Sequence, residues 1–381
     1  MLRNTLILAA TSAVLMSATA AFAVDQTMET ESGAIRVTTV VDGLDHPWAL
    51  AFLPDGGMLV TEKSGALRHV GADGELSQPI GGVPEVDTAG QGGLLDVTLA
   101  PDFTTSRMIY LSYAEPGEGG NGTAVARGTL NADMTALENL EVIFQQAPKV
   151  QSRAHFGSRL VFDGDGHLYV TLGERSAAEF RGQAQELGSH LGKIVRINPD
   201  GSVPEDNPFV GQEGALPEIY AYGVRNVQAA AINPASGKLW EIEHGPRGGD
   251  ELNIIEPGSN YGWPLVTLGV EYSGATIGEG LEQKEGMVDA IHTWTPVIAP
   301  SGMIFYGGDA FADWQGNLFV GGLASTALVR LQLDGDSVTH EERLLEDLGL
   351  RIRDVAEGPD GAIYVVTDES NGEVLRIAPS N

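Results

Sequence analysis

Short runs of aliphatic and aromatic residues follow turns rich in Asp, Gly, Pro or Asn, and this unit recurs six times along the chain. Pro54-Asp55-Gly56 precedes Met58-Leu59-Val60-Thr61, and Pro101-Asp102 precedes Met108-Ile109-Tyr110-Leu111. Asp163-Gly164-Asp165-Gly166 leads into Leu168-Tyr169-Val170-Thr171, and Asn233-Pro234 with Gly237 leads into Leu239-Trp240-Glu241-Ile242. The last two are Gln315-Gly316-Asn317 before Leu318-Phe319-Val320, and Pro359-Asp360-Gly361 before Ile363-Tyr364-Val365-Val366. Gly and Asn tolerate the positive φ of hairpin turns, while β-branched and aromatic side chains suit strands. Further strands are expected at Ile194–Ile197, Leu328–Leu331 and Val374–Ile377. The last two alternate apolar with charged residues, as a half-buried strand would. Long amphipathic helical patterns are absent, and Ala177 to Leu187 is expected to form only a brief helix.

Six like units predict an all-β, six-bladed β-propeller, because radial repetition leaves few sheet edges exposed. The units lie roughly 45 to 80 residues apart, against about 40–45 for a minimal propeller repeat. The surplus is expected in loops, where propeller sites are built. A long β-sandwich or a solenoid is the alternative for the same pattern.

Residues 1–23 read as an export signal. Arg3 gives the positive start, Leu6 to Leu15 is mostly apolar, and Ala21-Phe22-Ala23 fits the small-x-small cleavage pattern. Thr11, Ser12, Ser17 and Thr19 interrupt the run, which falls short of the about 20 apolar residues that span a bilayer. The product would begin at Val24, form one domain over 24–381, and be periplasmic or secreted.

Cysteine is absent, so disulfides and thiolate metal sites are excluded. The chain carries 52 acidic against 22 basic residues, a net charge of −30. A surface this acidic repels nucleic acid and anionic lipid, so neither is an expected partner, and no stable membrane insertion is expected.

Three clusters could carry chemistry. His244-Gly245-Pro246-Arg247-Gly248-Gly249-Asp250-Glu251, followed by Asn260-Tyr261-Gly262-Trp263-Pro264, forces an irregular path that turns carbonyls outward beside carboxylates. Oxygen-only sites of this sort suit Ca²⁺, although a solvated glycine-rich turn would look the same. His155 precedes the third unit and Glu174 follows it, so a hairpin could return the carboxylate to orient the imidazole as a base. Most such histidines merely cap turns. Arg225-Asn226 and Arg351-Ile352-Arg353 concentrate scarce cations. In a strand, Arg351 and Arg353 point to one face and match a shared polycarboxylate, or else pair with Asp354, Glu357 or nearby acids.

Together these segments resemble the soluble aldose sugar dehydrogenases that use pyrroloquinoline quinone (PQQ), in the glucose/sorbosone dehydrogenase family. The resemblance runs from about Asp45 to Ile377. It is carried in order by His46-Pro47-Trp48, Gly90-Gln91-Gly92-Gly93-Leu94-Leu95-Asp96, His155-Phe156-Gly157-Ser158-Arg159-Leu160 and Tyr222-Gly223-Val224-Arg225-Asn226. The run from His244 to Glu251, then Asn260 to Pro264, Tyr272-Ser273-Gly274 and Arg351-Ile352-Arg353-Asp354 complete it.

The resemblance implies PQQ across one face of the propeller and aldose sugars as substrates, oxidised at C1 to the lactone. It implies His155 as the base, with Glu174 and Arg225 assisting, and Gln91, Arg225, Asn226, Arg351 and Arg353 as PQQ contacts. The Tyr272-Ser273-Gly274 loop is expected against the quinone. Glu251 and the Tyr261 carbonyl are expected to hold a structural Ca²⁺, and the carbonyls of Gly245 and Pro246 a second one. Two departures stand out. Gly321-Gly322-Leu323-Ala324 has Ala where the soluble glucose dehydrogenases carry a cofactor-contacting Lys, and Glu174 stands where they have Asp. Outside the resemblance, the chain would read as a Ca²⁺-dependent lactone hydrolase or a non-catalytic binding propeller. The electron acceptor and a monomeric or homodimeric state are left open.

Overall fold

The computed structural model describes residues 23–380. Almost all of the export signal lies outside the described residues. Six antiparallel sheets follow one another along the chain. The first blade has three strands, Pro47–Phe52, Met58–Glu62 and Leu67–Val70. The next four have four strands each, beginning at Leu94–Leu99, Leu160–Phe162, Val227–Ile232 and Pro300–Phe305. In the sixth, Ile352–Glu357, Ile363–Thr367 and Gly372–Pro379 are completed by the N-terminal strands Gly33–Leu44 and Asp25–Thr30. The start of the described chain therefore pairs with its end, and the ring is locked without a disulfide.

Each of the six turn-and-strand units forms the second strand of its blade. The periodicity thus marks one position in a repeated sheet. The first strand of each blade packs against the first strand of the next, around the complete ring. Side chains also stitch blades together. Thr61 Oγ1 donates to Leu95 O at 2.5 Å, Ser112 Oγ to Ser158 O at 2.6 Å and Thr171 Oγ1 to Val227 O at 2.8 Å.

The apolar core lies between blades. Leu59 and Leu111 meet in one such layer, Val170 joins Val125 in the next, and Val60 joins Val366 where the ring closes. The strand containing Leu328–Leu331 is not half-buried as its alternation suggested. Arg330 is buried as well, its Nε donating to Glu342 at 2.8 Å and its Nη1 to Asn317 at 3.0 Å. The brief helix is Ala178–Arg181, prolonged by a 3₁₀ turn, Gly182–Gln185.

Candidate active site

One face of the ring is made by the segments entering each first strand and the loops leaving each second strand. A cavity of about 490 Å³ opens there. His46 and Trp48 enter the first blade and Lys63 leaves its second strand; Gly90 and Gln91 enter the second blade. Gln228 and His244 come from the fourth blade, Ala299 and Leu323 from the fifth, and Arg351, Arg353 and Asp368 from the sixth.

Arg351 and Arg353 do share a face and a partner. The partner is Asp368, not Asp354 or Glu357: Arg351 Nη2 lies 2.9 Å and Arg353 Nη2 2.7 Å from the same carboxylate oxygen. Arg353 also donates to Gln228 Oε1 at 3.1 Å, and Arg351 to Leu323 O at 3.2 Å. Burial raises an acid, but Arg353 and Arg351 outweigh that at Asp368 and hold its carboxyl below the usual range. Burial pulls Arg353 down, and its Nε has no hydrogen-bond partner among the described residues. Asp354 points the other way and binds Arg159 at 3.1 Å, with Asp96 on the same guanidinium at 3.0 Å.

Next to this wall, His155 Nδ1 lies 2.7 Å from Glu174 Oε1, and both side chains are buried. The His155 N–H donates to Gln91 Oε1 at 2.8 Å. The imidazole is held in a loop of left-handed backbone, with φ of 53° at His155, 64° at Gly157 and 92° at Ser158. Gly173 lets the hairpin carrying Glu174 close on this loop, since a Cβ there would lie 2.1 Å from His155 O. Burial lowers the His155 pKa most, Glu174 opposes it, and Arg225 lowers it further, leaving a pKa below the ordinary value. The ring is thus neutral at neutral pH. With Glu174 holding the Nδ1 proton, the lone pair sits on Nε2.

Arg225 is fixed in a cage of carbonyls, its Nη1 donating to His244 O at 2.7 Å and Gly245 O at 2.8 Å. Its backbone N–H donates to the Glu243 carboxylate. Asn226 Oδ1 accepts from Gly157 N at 3.0 Å, tying the fourth blade to the His155 loop. Gly245, Pro246, Glu251 and Tyr261 border one small void of about 10 Å³, together with Arg225, Glu243 and Trp263. Burial first, and then Asp250, push the Glu251 carboxyl up to about 7. Asp250 is engaged elsewhere, accepting from Gly245 N at 2.7 Å and Ala299 N at 2.8 Å, so it holds the loop in place.

Tyr272, Ser273 and Gly274 are not in the cavity wall. Tyr272 is 73% exposed, and the loop instead touches the His244–Glu251 segment through paired hydrogen bonds between Val270 and Arg247, 3.0 and 3.2 Å. Ala324 is exposed, with its N–H on Ile298 O at 2.9 Å. Sequence reasoning missed Lys63, Gln228 and Asp368 in the wall and Glu243 at the void. Only Glu243 carried a local signal, standing opposite Glu251 in the paired strands of the fourth blade.

Comparison with known proteins agrees with the fold. Residues 44–376 match the family described as Glucose / Sorbosone dehydrogenase. The aldose sugar dehydrogenase YliI of Escherichia coli is 50% identical over 350 residues, covering 91% of this chain and 94% of the relative. The crystal structure of the soluble aldose sugar dehydrogenase from Escherichia coli in its apo form superimposes with a TM-score of 0.88. It is 49% identical and covers 91% of this chain and all of the other. The PQQ-bound form of an aldose sugar dehydrogenase from Streptomyces coelicolor gives a TM-score of 0.73 at 30% identity, covering 90% of this chain and 98% of that one.

Proposed function

The chain belongs to the glucose/sorbosone dehydrogenase family, and from that premise we propose that it oxidises aldose sugars at C1 to the lactone with PQQ and Ca²⁺, using His155 as the base. The observation that carries the reading is the cationic wall of Arg351 and Arg353 next to the buried His155–Glu174 pair, in a chain of strong negative charge.

The residues present fit PQQ. Its three carboxylates suit paired guanidiniums and the unpartnered Arg353 Nε. A cavity of about 490 Å³ also falls within the about 300–1,000 Å³ usual for ligand pockets. When bound, PQQ supplies the electrophilic quinone carbon that accepts the C1 hydride. Arg351, Arg353, Gln91 and Asn226 bind and orient it. His155 Nε2 takes the proton from the C1 hydroxyl, and Glu174 Oε1 holds Nδ1–H and stabilises the imidazolium that forms. Arg225 stabilises the negative charge that develops on the carbonyl oxygen.

The void between Glu243, Glu251 and Tyr261 fits a cation, because a buried carboxylate raised to about 7 gains most from a positive neighbour. Glu251 and the Tyr261 carbonyl are proposed to hold Ca²⁺, with the carbonyls of Gly245 and Pro246 serving an ion on the cofactor side. The export signal read from residues 1–23 supports a periplasmic or secreted location. A metal-dependent lactone hydrolase is not favoured. Asp368, the one carboxylate lining the cavity, is committed to two arginines and is not offered to a metal.

Absorbance titration of metal-free protein with PQQ, followed by addition of Ca²⁺, an aldose and a redox dye, tests the reading. Saturable binding and aldose-dependent dye reduction are expected. Lactone hydrolysis without PQQ, or no PQQ binding even once Ca²⁺ is present, would refute it.

A further inference from the structure

We propose that Lys63 is a third cationic anchor for the anionic ligand of this cavity, an inference that rests on reading the cavity as the PQQ site. Lys63 leaves the strand Met58–Glu62 half-buried and lines the cavity with Gln91, Arg351, Arg353 and Asp368. Its N–H donates to His46 O at 3.1 Å. Gly93, at φ 136°, passes so close that a Cβ there would lie 2.1 Å from Lys63 O and 2.8 Å from its Cγ. The root of the side chain is therefore fixed against Gly93.

Among the described residues the Lys63 ammonium has no hydrogen-bond or ion-pair partner. Three other lysines are satisfied: Lys149 sits on Glu115, Lys238 on Glu256, and the buried Lys193 on the carbonyls of Gln183, Ala184 and Leu191, while Lys284 stands exposed to solvent. With 52 acidic residues in the chain, a half-buried lysine facing a cavity and no carboxylate is balanced best by an anion that the ligand brings. Asp368 is the one carboxylate in the wall, and both arginines hold it. Three cations against one anion call for a ligand with at least two negative charges. Ala324 offers none of this charge, so the cation missing there comes from the first blade.

The test is a PQQ absorbance titration, in saturating Ca²⁺, of wild type, Lys63→Ala, Lys63→Gln, Lys63→Arg and Arg353→Ala, repeated at low and high salt. Lys63→Ala and Lys63→Gln should weaken Kd about tenfold at low salt, with a smaller gap at high salt. Lys63→Arg should stay within about threefold of wild type, and thermal unfolding of the ligand-free Lys63 variants should match wild type. Unchanged affinity in Lys63→Gln beside a clear loss in Arg353→Ala overturns the role of Lys63 alone. Absence of PQQ binding in wild type overturns the reading of the cavity and this inference with it.

Discussion

Glu174 Oε1 lies 2.7 Å from His155 Nδ1, and its other oxygen is buried without a hydrogen-bond partner among the described residues. The carboxylate is therefore directed at the imidazole alone. Glu174→Gln keeps the size of the side chain but removes the charge that raises the His155 pKa. The acidic limb of the pH–rate profile should move to lower pH, because more acid is then needed to protonate His155 and switch the base off. The maximal rate should fall about 10–10²-fold through loss of imidazolium stabilisation. Steady-state rates from pH 4 to 9 check both.

The Arg353 side chain is 13% exposed and that of Arg351 44%, although both hold Asp368. Removing a buried charge-paired donor costs more than removing an exposed one. Arg353→Ala should weaken PQQ binding about 10²-fold and Arg351→Ala about tenfold, as read by equilibrium titration.

The six blades were legible because a repeated turn and strand leaves a local signature wherever it occurs. His155 and Glu174 were legible for the same reason: they flank one second strand, and a hairpin is a local fold. Asp368 was not. Strand alternation sends Arg353 and Asp354 to opposite faces, so the nearest acid in sequence binds Arg159 while the loop after Thr367 returns the true partner. Lys63 and Gln228 join the wall only when the ring closes across blades. The Tyr272 loop is likewise placed by a contact distant in sequence: backbone pairing of Val270 with Arg247 leaves Tyr272 exposed.

Calcium removal should depend on pH. Burial raises Asp250 from 3.8 to about 6 and Glu251 from 4.5 to about 7. Between those limits the folded metal-free protein holds protons that the unfolded chain has released, so its stability falls as pH rises through about 4 to 7. Chelation should therefore lower Tm by about 5 °C at pH 7.5 and much less at pH 5. Differential scanning calorimetry with and without chelator checks this.

Arg159 bridges Asp96 and Asp354, packs 4.7 Å over the Trp48 ring and donates to Gln228 O, joining the third blade to four others at the base of the cavity wall. Arg159→Ala would leave two buried carboxylates without their cation, a loss of about 3–5 kcal/mol in urea unfolding at pH 7.5. Burial raises Asp96 to about 6 with Arg159 opposing, so loss of Arg159 pushes that acid higher still and the deficit should shrink as pH falls from 7.5 toward 6 and the variant's Asp96 takes up its proton.

The most direct measurement compares wild type with His155→Ala, both saturated with PQQ and Ca²⁺, for aldose-dependent dye reduction. Both proteins should bind PQQ, and the variant's rate should be about 10²–10⁴-fold lower. A His155→Ala protein that turns over at the wild-type rate would contradict the account.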